Sequence, residues 1–187
     1  WPFVLGKPVA SGTIRTNPED FEVEEIGRVT PVGEGGHLWL WVEKRSANTE
    51  WVARELARLA GCTLRDVGYA GLKDRHAVTR QWFSVRMAGK PEPDWHLLTV
   101  ENEVSVLEVV RHQRKLKRGV HKSNRFRLVL RKLEGDRTAI AERLQRLKTQ
   151  GAPNYFGEQR FGRDGATLDQ ALAWMQGAGR RISRNKR

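Results

Sequence analysis

The stretch GYAGLKDRHAVTRQWFSV, residues 68–85, joins a glycine-bracketed turn to a segment in which apolar and polar side chains alternate. Alternation with a period of two predicts a strand that is buried on one face. Phe83, Val85 and the following Met87 would share that face. A short predicted strand near residues 67–70 leads into the turn. The stretch therefore predicts two strands joined by a turn that is rich in charged residues.

Segments with the same alternation lie before and after this stretch, and few helical segments interrupt them. The further predicted strands are FEVEEI (21–26), HLWLWVEK (37–44), VSVLEVV (104–110) and FRLVLRK (126–132). Helices are predicted to begin at Asn48 or Thr49, at Asp136 or Thr138, and at Thr167. Adjacent strands with isolated helices predict an α+β fold, with a mixed, largely antiparallel sheet and flanking helices.

The turn places the carboxylate of Asp74 directly between two cations, Lys73 and Arg75. The residues alone leave two interpretations open. One is a solvated surface cluster of little energetic weight. The other is a carboxylate that the cations keep ionised and pinned for nucleophilic or general-base chemistry. Gly68 and Gly71 favour the second, because glycine tolerates backbone conformations that could project Asp74 outward.

Positive charge is abundant and unevenly distributed. The 187 residues carry a formal net charge of +12, yet the first 60 hold seven Lys or Arg against nine Asp or Glu. The segment RHQRKLKRGVHKSNRFRLVLRK, residues 111–132, contains ten Lys or Arg, two His and no acidic residue. Such a block is typical of a surface that binds nucleic-acid phosphates. The alternative is a solvated charged loop that precedes a strand.

Several classes of protein are disfavoured by what the sequence lacks. The single cysteine, Cys62, leaves no internal disulfide and no cysteine cluster for zinc, and it fits a reduced, cytoplasmic setting. No run of 18 apolar residues, secretory signal, P-loop or dinucleotide fingerprint is visible. We therefore expect no membrane span, no metal site and no nucleotide cofactor.

Two further segments carry residue types that bind bases and phosphates. In SNRF, Asn124 and Phe126 are two residues apart and would face the same side of a strand. An amide beside an aromatic ring can hold and stack a base, although the spacing alone favours Phe126 as part of an apolar core face. In NYFGEQRFG, residues 154–162, Arg160 could meet a phosphate, or the segment could form a structural Gly-aromatic corner.

Three segments resemble, in the same order, the motifs of the TruD family of tRNA pseudouridine synthases. AGLKDRHAVTRQWFS (70–84) is similar to the motif that surrounds the family's catalytic aspartate. NPEDFEVEEI (17–26) resembles the N-terminal motif, and NYFGEQRFG (154–162) resembles a third one. Together they spread over nearly the whole chain, which makes the resemblance far more specific than one motif would.

The resemblance implies the pseudouridine synthase catalytic fold and the isomerisation of a uridine in tRNA, typically uridine 13, to pseudouridine. It implies an aspartate that acts as nucleophile or as base, and no cofactor or metal. The implied catalytic residue is Asp74. The implied substrate-binding residues are Phe21, Asn124 and Phe126. On this interpretation Arg160 and the basic segment would bind RNA phosphates, and Lys73 and Arg75 would keep Asp74 ionised and positioned beside the RNA.

The resemblance also implies a division of the chain. Residues 1–150 would form the N-terminal part of the catalytic domain, and residues 151–187 would begin a domain inserted into it. Family members then return to complete the catalytic sheet. Because the chain starts at Trp1 and stops within a basic run at Arg187, we expect it to be a piece of a longer protein.

The alternative function is a non-catalytic RNA-binding protein, such as a ribosome-associated or assembly factor. It explains the positive charge equally well, but it does not explain an acidic residue inside the basic turn. A DNA-binding module ranks third, because no helix is rich in the Arg, Asn and Gln that suit the major groove. The expected partner of the enzyme is tRNA. The sequence leaves the oligomeric state open, and a monomer is compatible with it.

Overall fold

The structure, a computed structural model, describes residues 3, 5–87, 89–98, 103–153, 155, 157–162 and 165–176. The chain divides into two compact units, one formed by residues 10–135 and the other by residues 1–9 together with residues 136–187. The predicted domain boundary at residue 150 concerns an insertion within a family, and it stays a prediction. Asn154 and Phe156 of the third motif lie outside the described residues.

Eight strands and three helices make up the described part of the chain. The strands are β1 (Ala10–Thr13), β2 (Phe21–Ile26), β3 (His37–Arg45), β4 (Val67–Tyr69), β5 (Val78–Arg86), β6 (Val104–His112), β7 (Ser123–Leu128) and β8 (Arg131–Gly135). The helices are α1 (Thr49–Leu59), α2 (Arg137–Gln150) and α3 (Ala166–Met175). Short 3₁₀ turns cover Pro18–Asp20, Leu64–Asp66, Trp95–Leu98 and Glu158–Phe161.

The larger sheet has six strands. Five follow the order β6-β3-β5-β2-β7, and the sixth, β4, pairs with the C-terminal part of β5. Among the described strands, β2 and β5 pair in parallel, and all other neighbours are antiparallel. β1 and β8 form a separate antiparallel pair. The α+β prediction with a mixed, largely antiparallel sheet is therefore confirmed. The opening stretch supplies β5, which contacts three other strands.

The main core lies between one face of this sheet and helix α1. Leu40, Phe83 and Val85 on the sheet side are fully buried, as are Val52 and Leu56 on the helix. Burial of both sets follows from their spacing, because alternate strand residues and residues i and i+4 of a helix each line one face. The predicted shared face of Phe83, Val85 and Met87 is confirmed.

The opposite face of the sheet carries a smaller cluster. Trp39 packs there with Ala70 and Leu116, and its ring lies 6.0 Å from that of Trp82. Both faces of β3 are thus partly buried, as its paired tryptophans and leucines predict. The small cluster matters for the site, because Ala70 immediately precedes the charged turn.

In the other unit, α2 begins where the sequence predicts, since the Asp136 carboxylate accepts hydrogen bonds from the N–H groups of Thr138 and Ala139. The N-cap of helix α3 lies two residues earlier than expected. Gly165, with φ +77°, occupies its N-cap position, so Thr167 lies inside the first turn instead of capping it.

Candidate active site

The charged turn between β4 and β5 is held by buried polar side chains that contact its main chain. Gln81 donates from Nε2 to the Gly71 carbonyl oxygen at 3.0 Å. The Thr49 hydroxyl accepts the Lys73 N–H at 3.0 Å and donates to Gln81 Oε1 at 3.1 Å. Thr49 begins α1, so the residue predicted as a possible helix cap instead ties the helix to the turn. Asp74 therefore sits on an anchored backbone.

The glycines of the turn act differently from the prediction. Neither Gly68 nor Gly71 has a positive φ, so neither supplies a backbone conformation that is closed to other residues. Gly68 instead permits close approach, because a Cβ there would overlap the Leu116 carbonyl oxygen and lie 2.7 Å from Ser84 Oγ. Gly68 therefore lets the basic segment, residues 111–132, pass directly over β4.

Asp74 is about half exposed and pairs with Arg15, whose Nη2 lies 3.7 Å from Asp74 Oδ2. The Arg15 guanidinium also stacks over the Phe21 ring, 4.1 Å from its centroid. The Phe21 ring in turn lies 6.0 Å from that of Phe126. Carboxylate, guanidinium and two aromatic rings thus form one continuous series of contacts.

Arg15 is a site residue that the sequence analysis missed. It has a φ of +57°, a conformation that is uncommon outside glycine and that concentrates at functional sites. The loop that carries it is fixed at Asp20, whose buried carboxylate accepts two hydrogen bonds of 2.7 Å from Arg131. These bonds lower the pKa of Asp20 below its usual value. The sequence offered one indication of this role, since Arg15 stands two residues before the NPEDF motif. No rule of residue spacing distinguishes it from other arginines, however.

The two cations beside Asp74 in sequence make other contacts in the structure. Lys73 Nζ lies 2.9 Å from Glu25 Oε2, and both side chains are almost fully buried. Arg75 Nε donates to the Ser46 carbonyl oxygen at 3.3 Å. The side-chain ion pair that the structure describes for Asp74 is the one with Arg15. The cations next to Asp74 in the sequence are thus not its ion-pair partners in the structure, because the side chains of Lys73 and Arg75 make their contacts elsewhere.

Asn124 and Phe126 lie on β7 opposite Glu25 and Val23 of β2. Residues directly opposite on paired strands share a face, so Asn124 lies beside the buried Lys73–Glu25 pair. Asn124 Oδ1 is buried without a hydrogen-bond partner within the described structure. Phe126 is 56% exposed. In this chain Phe126 is therefore not part of the buried apolar core that its spacing alone favours.

The basic segment runs along the turn and is pinned to the sheet. Trp39 Nε1 donates to the Arg114 carbonyl oxygen at 2.9 Å, and the Gly119 N–H donates to the Ala70 carbonyl oxygen at 2.7 Å. The Arg118 guanidinium stacks over Tyr69 at 4.6 Å and donates to its hydroxyl at 2.8 Å. Cations of this segment are thereby displayed from a fixed backbone.

Two clefts of about 750 and 580 Å³ border the segment, and residues 115–117 line both. Arg160 lies in the short turn Glu158–Phe161 of the other unit, and its assignment to phosphate binding stays a prediction. Among the residues that the structure describes, no group of three or more His, Cys, Asp or Glu could hold a metal ion. No helix in the described ranges is long and apolar enough to cross a membrane.

The structure thus brings Asp74, Arg15 and two aromatic rings together on a mixed α+β sheet, beside the cationic segment. The family model for tRNA pseudouridine synthase D (TruD) matches residues 2–168, and the chain belongs to this family. The family resemblance seen in the sequence is thereby confirmed.

Individual relatives agree with this family. The chain is 54% identical over 170 residues to a tRNA pseudouridine synthase D of Nitrosococcus oceani, covering 91% of this chain and 48% of the relative. It is 52% identical over 186 residues to one of Methylococcus capsulatus, covering 100% of this chain and 52% of the relative. The chain thus spans about half the length of the curated relatives that it matches.

The fold has a counterpart among solved structures. A crystal structure of a candidate tRNA pseudouridine synthase D (TruD) from Methanosarcina mazei superposes with a TM-score of 0.70 at 28% identity. The match covers 89% of this chain and 39% of the other. The predicted assignment to the fold of this family is confirmed.

Proposed function

We propose that the protein containing this chain isomerises a uridine of tRNA, uridine 13 by family resemblance, to pseudouridine without a cofactor. The observation that carries this proposal is the contact series from Asp74 through Arg15 and Phe21 to Phe126. It joins a carboxylate that can react, a cation that can offset developing charge, and a surface on which a flipped base can lie.

Asp74 would act on the ribose of the target nucleotide, either as nucleophile at C1′ or as the base that starts elimination to a glycal. In both routes the glycosidic C1′–N1 bond breaks and uracil leaves with the bonding electron pair. As nucleophile, Asp74 forms an ester bond to C1′, and this bond breaks when C5 of the turned uracil bonds to C1′. As base, Asp74 removes the C2′ proton and returns it to C2′ when C5 bonds to C1′. In both routes C5 then loses its proton and N1 gains one. Arg15 would stabilise negative charge while the base is detached.

Phe126, Phe21 and Asn124 would hold the detached base. Phe126 offers an exposed ring for stacking, and Phe21 supports it from the neighbouring strand. The buried, unpartnered Oδ1 of Asn124 suits a donor such as the N3–H of uracil, because an unpaired buried acceptor is costly until a ligand satisfies it. Retaining the uracil between bond cleavage and bond formation is a matter of positioning.

The cationic segment would bind the tRNA backbone, since its charges stand beside the turn that carries Asp74. A pinned backbone loses little conformational entropy on binding. We further propose that residues 1–150 belong to the catalytic domain and that residues 151–187 begin its insertion. The part of a full-length family member that this chain does not span would cover two leucines that β7 and β8 leave exposed. These are Leu128 and Leu133.

The test is a mass-resolved pseudouridine assay on unmodified tRNA with the full-length protein. Asp74→Asn keeps the shape of the side chain but removes its charge, so we expect product to fall below detection while tRNA binding is kept. Asp94→Asn, at an exposed loop residue that is not part of the proposed machinery, serves as the matched control and should retain wild-type activity.

Each outcome separates the functions under consideration. Equal product from wild type and Asp74→Asn would refute the assignment of Asp74. No product from wild type, with tight tRNA binding, would favour the non-catalytic RNA-binding alternative. A tRNA with cytidine in place of uridine 13 should accept no modification, and modification elsewhere in it would refute the proposed target position.

A further inference from the structure

Lys44, near the end of β3, is a fully buried lysine that contacts the main chain behind Asp74. Its Nζ donates to the Asp74 carbonyl oxygen at 2.8 Å and to the Ala47 carbonyl oxygen at 2.7 Å. Its described hydrogen bonds thus both end on carbonyl oxygens and not on a carboxylate. A buried ammonium is expensive to desolvate, so its presence here needs a reason.

Stability alone is a weak reason. Apolar side chains of similar volume often replace buried charges at no loss of stability, or even with a gain. Lys44 lies beside the main hydrophobic core, where Val42, two residues earlier on the same strand, is equally buried. A polar end at this position is therefore explained best by what it touches, the backbone of the residue that presents the reactive carboxylate.

The contact completes a set of main-chain anchors along the turn. Gln81 holds the Gly71 carbonyl group and Thr49 holds the Lys73 N–H group, while Lys44 holds the carbonyl group of Asp74 itself. Lys44 is the anchor nearest the reacting group, because it fixes the peptide that follows the Asp74 Cα. The direction of the Asp74 carboxylate depends on that peptide, because the carboxylate itself is half exposed. Within the described ranges its ion pair is the one with Arg15 at 3.7 Å.

We propose that Lys44 is a positioning residue for the Asp74 carboxylate, acting through its hydrogen bond to the Asp74 carbonyl oxygen. This inference rests on the function proposed above and extends it to a residue that touches neither substrate nor reacting atoms. The effect should appear in the rate of the chemical step and not in tRNA binding, because the Lys44 side chain is inaccessible to RNA.

The charge of Lys44 makes this positioning sensitive to pH. Burial lowers the pKa of Lys44 from its usual 10.5 to about 8, Asp74 opposes this decrease, and the neighbouring Lys73 adds to it. An ammonium donates hydrogen bonds that are roughly twice as strong as those of a neutral amine. The anchor should therefore weaken when the pH rises through about 8.

The experiment compares Lys44→Met and Lys44→Gln in the full-length protein, with single-turnover rates and tRNA dissociation constants measured separately. Methionine removes the Nζ donor, and with it both hydrogen bonds, at similar volume. A displacement on the order of 1 Å can cost about 100-fold in rate. We expect that loss for Lys44→Met, an intermediate loss for Lys44→Gln, and tRNA binding within about twofold of wild type. Val42→Ala is the control for destabilisation and should keep its rate.

The pH profile separates positioning from a general loss of structure. Wild type and Val42→Ala should lose rate above about pH 8, and Lys44→Met should lack that decrease. A Lys44→Met rate within about threefold of wild type would overturn the inference. So would a defect confined to tRNA binding.

If Lys44→Met does not fold, the wild-type profile decides. A flat rate from about pH 7 to 9.5 would then overturn the inference, and a decrease near pH 8 would support it. An inactive wild type would instead refute the proposed function. Active wild type, inactive Asp74→Asn and fully active Lys44→Met would refute the role of Lys44 alone.

Discussion

The buried ammonium of Lys44 predicts that protein stability and catalytic rate respond to pH in opposite directions. The pKa of Lys44 is about 8 in the folded protein because of burial, whereas an unfolded lysine keeps its usual 10.5. Between these two values the unfolded chain holds a proton that the folded protein has released. The free energy of unfolding must therefore rise with pH in this interval.

The size of the effect follows from the two pKa values. A complete difference of one proton changes the free energy of unfolding by about 1.4 kcal/mol for each pH unit. Allowing for partial titration at both ends, Lys44 should contribute an increase of about 2.5 kcal/mol between about pH 7 and pH 10. Below about pH 7 both states hold the proton, so the cost of burying the charge is then fully present.

The assay is urea unfolding of full-length wild type and Lys44→Met at a series of pH values. Five of the seven tryptophans of this chain lie within residues 10–135, the unit that contains Lys44, so unfolding of that unit contributes to the fluorescence change. Other groups titrate alike in both proteins, so their contributions cancel in the difference. The free energy of unfolding of Lys44→Met should fall relative to that of wild type as the pH rises, by about 2.5 kcal/mol over the series.

Val42→Ala again serves as the control, because it removes buried volume from the same strand without removing a charge. Its stability difference from wild type should stay constant with pH. A Lys44→Met difference that also stays constant would refute the reasoning, since Lys44 would then have the same pKa in the folded and unfolded states. A difference that grows in the opposite sense would mean that the fold favours the charged form.

Two further changes test the parts of the structure that hold the site. Gly68→Ala should push the basic segment away from β4, because its new Cβ would overlap the Leu116 carbonyl oxygen. We expect a rise of about tenfold in the tRNA dissociation constant, while Gly36→Ala, with open space at its Cβ, should bind normally. Arg131→Ala should lower the urea midpoint at neutral pH by leaving the Asp20 carboxylate without its bidentate partner. Because pairing lowers the pKa of Asp20 below its usual 3.8, that deficit should shrink as the pH falls below about 4, and a deficit independent of pH would contradict this account.

The strands were predictable because their pattern is local. Alternation in residues 78–86 requires only that one face be buried, and that requirement shows in the sequence whichever partner covers the face. Asp74 and the basic block could be singled out for a similar reason, since an acid between two cations and a run of cations without acids are visible without a fold. Family membership followed from three motifs in order.

The ion-pair partners of the charged residues could not be predicted in the same way. Lys73 stands next to Asp74 in the chain but pairs with Glu25, and Arg15, which the motifs did not single out, pairs with Asp74. These pairs join residues about 50 to 60 positions apart. They depend on the parallel pairing of β2 with β5 and on the direction in which each side chain leaves the turn.

The sequence by itself therefore determined the strand pattern, the concentration of positive charge in residues 111–132 and the choice of Asp74 as the candidate catalytic residue. Only the tertiary structure decided which cation faces Asp74, that Gly68 permits close packing and not an unusual turn, and that Lys44 is buried behind the turn. The physical reason is range. Periodicity and charge are properties of neighbouring residues, whereas ion pairing and desolvation depend on strand order and register, which the whole core selects at once.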